Sequence, residues 1–167
     1  MCRNHENGAP TNHPVIFAMN SPSPIVIADN QPAGLADFRE ALEAQADLSL
    51  AAAVTCASCV FSAVSRQRTE LLILSLSMPG HRILQLAHDL TVLHPHLKLL
   101  IIASPHQHLD AAHVMRAGVH GCVPAGSSTA AKLAAVRKVL AGEHVFTLPQ
   151  LADSRHAVAL PLAAAAF

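Results

Sequence analysis

From Ile25 onward the sequence alternates short apolar runs with segments of helical period, five times in succession, and this constrains the fold more than any other feature. "IVIAD" (25–29) reads as a first strand. Pro32 then suits the opening of a helix through "GLADFREALEAQA", which sets Leu35, Phe38 and Leu42 on one face. "LSLAAAV" (48–54) is a second strand, low in β propensity because of its alanines, and "CASCVFSAVSR" (56–66) a second helix. "ELLILSL" (70–76) is the third strand. The helix after it carries Ile83, Leu86, Leu90 and Leu93 at helical spacing and ends at His94-Pro95. "LKLLIIAS" (97–104), "HLDAAHVMRAG", "VHGCVP" (119–124) and "SSTAAKLAAVRKVLAG" complete the series. Gly118 and Gly142 stand as C-terminal glycines of the last two helices, and Ser127 or Ser128 as the cap of the final one.

Strict strand–helix alternation implies an α/β fold: a five-stranded parallel sheet, doubly wound, with helices on both faces. In such sheets chemistry gathers at the carboxyl ends of the strands, near the switch in strand order. That rule singles out Asp29, Asn30, Ser75, Ala103, Ser104, Pro124 and Ala125. Residues 1–24, rich in Asn, Pro, Ser and His, read as a mobile arm, residues 25–146 as the domain, and residues 147–167, interrupted by Pro149 and Pro161, as a tail.

The 167 residues suffice for one domain with a core that needs no crosslinks. With no Trp or Tyr, that core must be built from Leu, Ile, Val and Ala. Lys+Arg and Asp+Glu are equal at 11 each, so no net field attracts nucleic acid or an anionic membrane, and neither is expected as a partner. The four cysteines (Cys2, Cys56, Cys59, Cys122) lack the density of a secreted disulfide scaffold. The polar N-terminus carries no apolar signal core, and no run approaches the roughly 18 apolar residues of a membrane helix. A reducing, cytoplasmic setting is the expectation.

Five short motifs, in order, carry a resemblance: "IADNQP" at the first turn, "LLILSLSMPG" at the third strand, "LHPHLKLLIIAS" into the fourth, "VMRAGVHGCV" into the fifth, and "LAAVRKVLAGEHVF" in the last helix. Each is unspecific alone. Together, at this spacing, the chain from Ile25 to Phe146 resembles the receiver domain of bacterial response regulators, of the CheY-like NarL/FixJ type. The resemblance implies a phosphoryl-transfer pocket. A carboxylate ending the third strand is the acceptor, and an acidic pair after the first strand holds Mg²⁺. A hydroxyl after the fourth strand and a Lys after the fifth bind the phosphoryl oxygens. An aromatic residue in the fifth strand acts as the switch.

Laid on that pattern, the acceptor position falls on Ser75, and the acidic pair on Asp29 and Asn30, so one carboxylate remains. The hydroxyl position falls on Ala103, with Ser104 one residue later and, by strand alternation, on the other side. The lysine position falls on Ala125 and the switch aromatic on Cys122. A serine without an adjacent base is a poor nucleophile, and its phosphoester would be a stable linkage. The losses are mutually consistent and imply a degenerate pseudo-receiver: no catalysis, no cofactor, no bound metal, and signalling through protein partners. In the family the face of the fourth helix, fifth strand and fifth helix mediates dimers and output contacts. On this chain that face implies Asp110, His113, Val114, His120, Lys132, Ala135 and Lys138, and a homodimer through them.

An alternative reading is a redox or small-ligand sensor using Cys56, Cys59 and Cys122 or the vacated pocket. Cys56-Ala-Ser-Cys59 is a C-x-x-C opening a helix, where the dipole favours a thiolate; as packing, Cys59 would turn inward and Cys56 sit in a loop. No second C-x-x-C completes four zinc ligands. His94 and His96 lie at the opposite end of the fourth strand from His106 and His108, so these four read as solvated loop residues. The residues after Phe146 are too few for the helix-turn-helix that commonly follows such a domain.

Overall fold

The computed structural model describes residues 21–78, 82–104, 109 and 111–147. The arm up to residue 20, the tail beyond Thr147, and His106, His108 and Asp110 lie outside the described residues. The chain runs β1 (Ser23–Ala28), a 3-10 turn (Pro32–Leu35), α1 (Ala36–Glu43), β2 (Leu48–Val54) and α2 (Ala57–Arg66). It continues through β3 (Leu71–Ser75), α3 (Ile83–Leu93), β4 (Lys98–Ala103), α4 (Ala111–Arg116), β5 (Gly121–Pro124), α5 (Thr129–Leu140) and β6 (Val145–Phe146). The strands form one sheet in the order β2-β1-β3-β4-β5-β6, every pair parallel.

The period of two along each strand divides the core into two layers. Val26, Ala28, Leu72, Leu74, Leu99 and Ile101 face Val60 and Val64 of α2, Ala87 and Leu90 of α3 and Val114 of α4. Ile25, Ile27, Leu71, Ile73, Leu100 and Ile102 face Phe38 and Leu42 of α1 and Val136 and Val139 of α5. The central strands are apolar on both faces, which is why they read as continuous runs rather than alternations.

Three details depart from the expected pattern. The sheet has a sixth strand: Val145 and Phe146 pair with Gly121 and Cys122. β1 begins at Ser23, inside the segment read as an arm, because Ser23 already pairs with Leu48. On α3 the buried stripe is Ile83, Ala87 and Leu90, while Val92 and Leu93 are 63% and 64% exposed. Leu93 is the last residue of the helix, and Leu97, just beyond it, enters the core instead.

Two glycines are dictated by space. Gly118 ends α4 at φ +72°, and a Cβ there would sit 2.9 Å from Thr91 Oγ1. At Gly121 a Cβ would sit 2.9 Å from Leu100 Cδ1 and 3.0 Å from the Val145 carbonyl, so β6 closes on β5 only because no side chain stands between them. Ser128 caps α5 by accepting from the Ala131 N–H at 3.2 Å, and Lys98 Nζ donates to the Leu140 carbonyl at 2.7 Å at the other end.

Candidate functional site

The strand order reverses at β1, which has β2 on one side and β3 on the other. The carboxyl ends of β1 and β3 bring Asp29 and Ser75 to this point, 6% and 5% exposed. Asp29 is positioned by its own N–H, which donates to the Val54 carbonyl at 3.0 Å. Between the two stands Ser77. Its Oγ lies 2.7 Å from Ser75 Oγ, 3.1 Å from Asp29 Oδ1 and 3.0 Å from Asn30 Oδ1. A hydroxyl carries one hydrogen, so Ser77 gives to one of these oxygens at a time. With the carboxylate as the stronger acceptor, Ser77 donates to Asp29 and receives from Ser75.

Asp29, Ser75 and Ser77 line a cleft of about 180 Å³ with Gln31, Gly34, Leu35, Ile102, Ser104 and Ala125. None of these described lining residues is cationic. Ser104 corrects the sequence reading. Ala103 packs fully buried among the residues facing α2, α3 and α4, whereas Ile102 belongs to the α1 and α5 layer opposite Ser75. Counting from Ile102, the period of two returns Ser104 to the cleft, so the β4 hydroxyl that lines it is that of Ser104, on the same side as Ser75. Ser77 was missed altogether. Its signal was the i, i+2 spacing from Ser75 at the mouth of the strand, legible once the turn is known to fold back over Asp29.

A divalent cation is implied by the resemblance, and the donor set does not fit one. Magnesium sites of this kind combine carboxylates with phosphate oxygens. Here a single carboxylate is present, its Oδ1 is turned to Ser77, and the other nearby oxygens are neutral. Among the described residues no group of three or more His, Cys, Asp or Glu side chains could hold a metal ion.

Cys122 sits at 0% exposure in the layer beneath α3 and α4, where burial pushes its thiol up to about 12. The residues expected on an interaction face are divided by the structure. His113 and Lys138 are exposed. Val114, Lys132 and Ala135 are buried, because they form the inward stripes of α4 and α5, and they are corrected from surface to core. Lys132 Nζ lies over the Phe38 ring, 5.9 Å from its centroid, and burial lowers its pKa. His120 is half-buried; its Nδ1 accepts from the Leu99 N–H at 3.2 Å and its ring stacks on His144 at 5.5 Å. Desolvation first, then His144 and Lys98, hold its pKa below the usual histidine range. Cys56 and Cys59 are bonded as a disulfide and Cys59 is exposed, so Cys59 does not turn inward as a small hydrophobe.

No family profile matches the sequence, and no curated protein matches it. Solved structures do match. A two-component response regulator of the LuxR family from Aurantimonas sp. SI85-9A1 superposes with a TM-score of 0.70 at 19% identity, over 81% of this chain and 99% of that one. The fold is that of a receiver domain. The isolated REC domain of RcsB from Salmonella enterica serovar Typhimurium gives a TM-score of 0.68 at 17% identity, over 79% and 97% of the two chains. A CheY-like receiver from Methanospirillum hungatei JF-1 gives 0.65 at 16% identity, over 73% and 96%. The doubly wound architecture expected from the strand–helix alternation is therefore observed, with β6 added at the edge. No described helix is long and apolar enough to cross a membrane.

Proposed function

We propose that this receiver-fold domain acts in signal transduction as a pseudo-receiver, through protein–protein contacts that do not depend on phosphorylation. One observation carries the reading: a hydroxyl stands at the acceptor position, bonded to Ser77, in a cleft whose described lining has one carboxylate and no cation. Phosphoryl transfer needs charge stabilisation on the transferring group, and a neutral alanine at position 125 supplies none. Ser75 also lacks the adjacent base that would activate it, since its hydrogen-bond partner is another hydroxyl. The domain is then a cytoplasmic binding module rather than an enzyme, and its partners are proteins of a two-component pathway. The solvent-facing part of the α4–β5–α5 face, with His113 and Lys138 exposed, is the surface offered to a partner or a second copy.

The test is incubation of the full chain with acetyl phosphate and magnesium, read by intact mass. The expected result is an unchanged mass. Addition of one phosphoryl group that is lost in hydroxylamine would restore an acyl-phosphate receiver and sink the proposal.

A further inference from the structure

Cys56 and Cys59 lie far from the logic of the cleft and answer to different chemistry. Their sulfurs are bonded, and their Cα atoms are 5.5 Å apart, within the ordinary span of bridged cysteines. The bridge connects the N-cap of α2 to its first turn, so it joins no two elements of the fold. A loop this short also restricts the unfolded chain least, which makes the bond a poor staple. Packing of α2 rests instead on Val60 and Val64, on the inner side of the helix. A disulfide that crosslinks a single turn serves reactivity better than architecture.

Three further features make the pair reactive. Cys59 is exposed and Cys56 partly so, which leaves the bond open to attack. Cys56 occupies the N-cap of a ten-residue helix, where the helix dipole favours a thiolate. Ser58 Oγ donates to Cys56 Sγ at 3.6 Å, a second group that favours negative charge on that sulfur. Cys122 is excluded from the chemistry because it is fully buried in the core layer beneath α2, α3 and α4.

We propose that Cys56 and Cys59 form a thiol–disulfide exchange site, a two-electron switch whose co-reactant is a low-molecular-weight or protein disulfide. Cys56 is the attacking thiol and Cys59 the resolving one. The Cys56 thiolate attacks one sulfur of the incoming disulfide, forms a mixed disulfide and releases the first thiolate. Cys59, deprotonated, attacks Cys56 Sγ; the Cys56–Cys59 bond forms and the second thiolate leaves. The two cysteines lose two electrons, the incoming disulfide gains them, and the two cysteine protons end on the released thiols.

The experiment is a thiol count on the full chain, equilibrated with mixtures of reduced and oxidised glutathione, then denatured and alkylated. Reduced protein is expected to label at all four cysteines and oxidised protein at two fewer, reversibly. Cys59→Ser is expected to trap glutathione on Cys56, and the double variant Cys56→Ser/Cys59→Ser to abolish the reversible loss. Four labelled thiols in oxidised glutathione, or a loss that persists in the double variant, would overturn the site. The rate of Cys56 alkylation in Cys59→Ser is expected to have its pH midpoint below about 8.5, moving upward in Ser58→Ala. A midpoint at or above that value would overturn Cys56 as the attacking thiol.

Discussion

Ser77 holds the cleft together, since its hydroxyl is the link through which Ser75 reaches the buried carboxylate of Asp29. Replacing it by Ala leaves that carboxylate without the donor, and the expected loss is about 1–3 kcal/mol, read as a fall in the midpoint of urea unfolding. Placing an acid at position 75 is expected to be worse. Ser75→Asp places a second carboxylate beside Asp29 at a site only 5% exposed, with no cation lining the described cleft, at a cost of about 3 kcal/mol. Adding Ala125→Lys, from the other side of the same cleft, is expected to recover much of it. If Ser75→Asp alone is as stable as the parent, the cleft is more open to water than its geometry indicates.

His120 is poised by the elements around it: Leu99 of β4 donates to its Nδ1, His144 stacks on its ring, and Lys98 adds positive charge. The neutral ring is therefore the folded form. Above the unfolded histidine value near pH 6.5 both states are neutral and nothing is lost. As the pH falls through that value the unfolded chain takes up a proton that the folded one refuses, so stability drops. Urea unfolding between about pH 7.5 and pH 5.5 is expected to show this slope, weakened in His120→Asn, whose amide oxygen still accepts from Leu99 but does not titrate. Equal slopes in both proteins would move the effect to another group. The β5–β6 contact gives a second element-scale expectation. Gly121→Ala drives a methyl group into Leu100, Val139 and the Val145 backbone, which is expected to destabilise the protein by about 1–3 kcal/mol. Differential scanning calorimetry checks it, and an unchanged Tm would show that β6 yields freely.

At the scale of the whole molecule, α5 is fastened to the loop between α1 and β2 as well as to the core. Arg137 grips Asp47 through Nε and Nη2, at 2.9 and 3.0 Å, and Gln45 at 2.6 Å, which holds the Asp47 carboxyl below the usual range. Both members of this pair are exposed, so the contact orients α5 more than it stabilises the fold. A helix held at both ends and from below makes the α4–β5–α5 surface a fixed platform. If that platform is constitutive, the protein is expected to be a dimer at micromolar concentration by light scattering, with the same mass after treatment with acetyl phosphate. A monomer would remove the dimer and leave other proteins as the partners.

Periodicity alone determined the strand–helix order, the bounds of β2, the inward stripe of α1 and the cap glycines, because each is a local consequence of side-chain spacing. It also placed Asp29 and Ser75 at the carboxyl edge. What it could not supply were relations between segments. β6 is two residues long and owes its existence to Gly121, Leu97 buries where Leu93 was expected to, and Val114, Lys132 and Ala135 turn inward on the buried faces of α4 and α5. The cleft follows the same division: the residue types were written in the chain, but only strand register decided that Ser104 rather than Ala103 faces Ser75, and only the fold of the β3 turn brought Ser77 onto Asp29. Local spacing is encoded residue by residue; which side of a sheet a residue meets depends on partners dozens of positions away, and packing settles it.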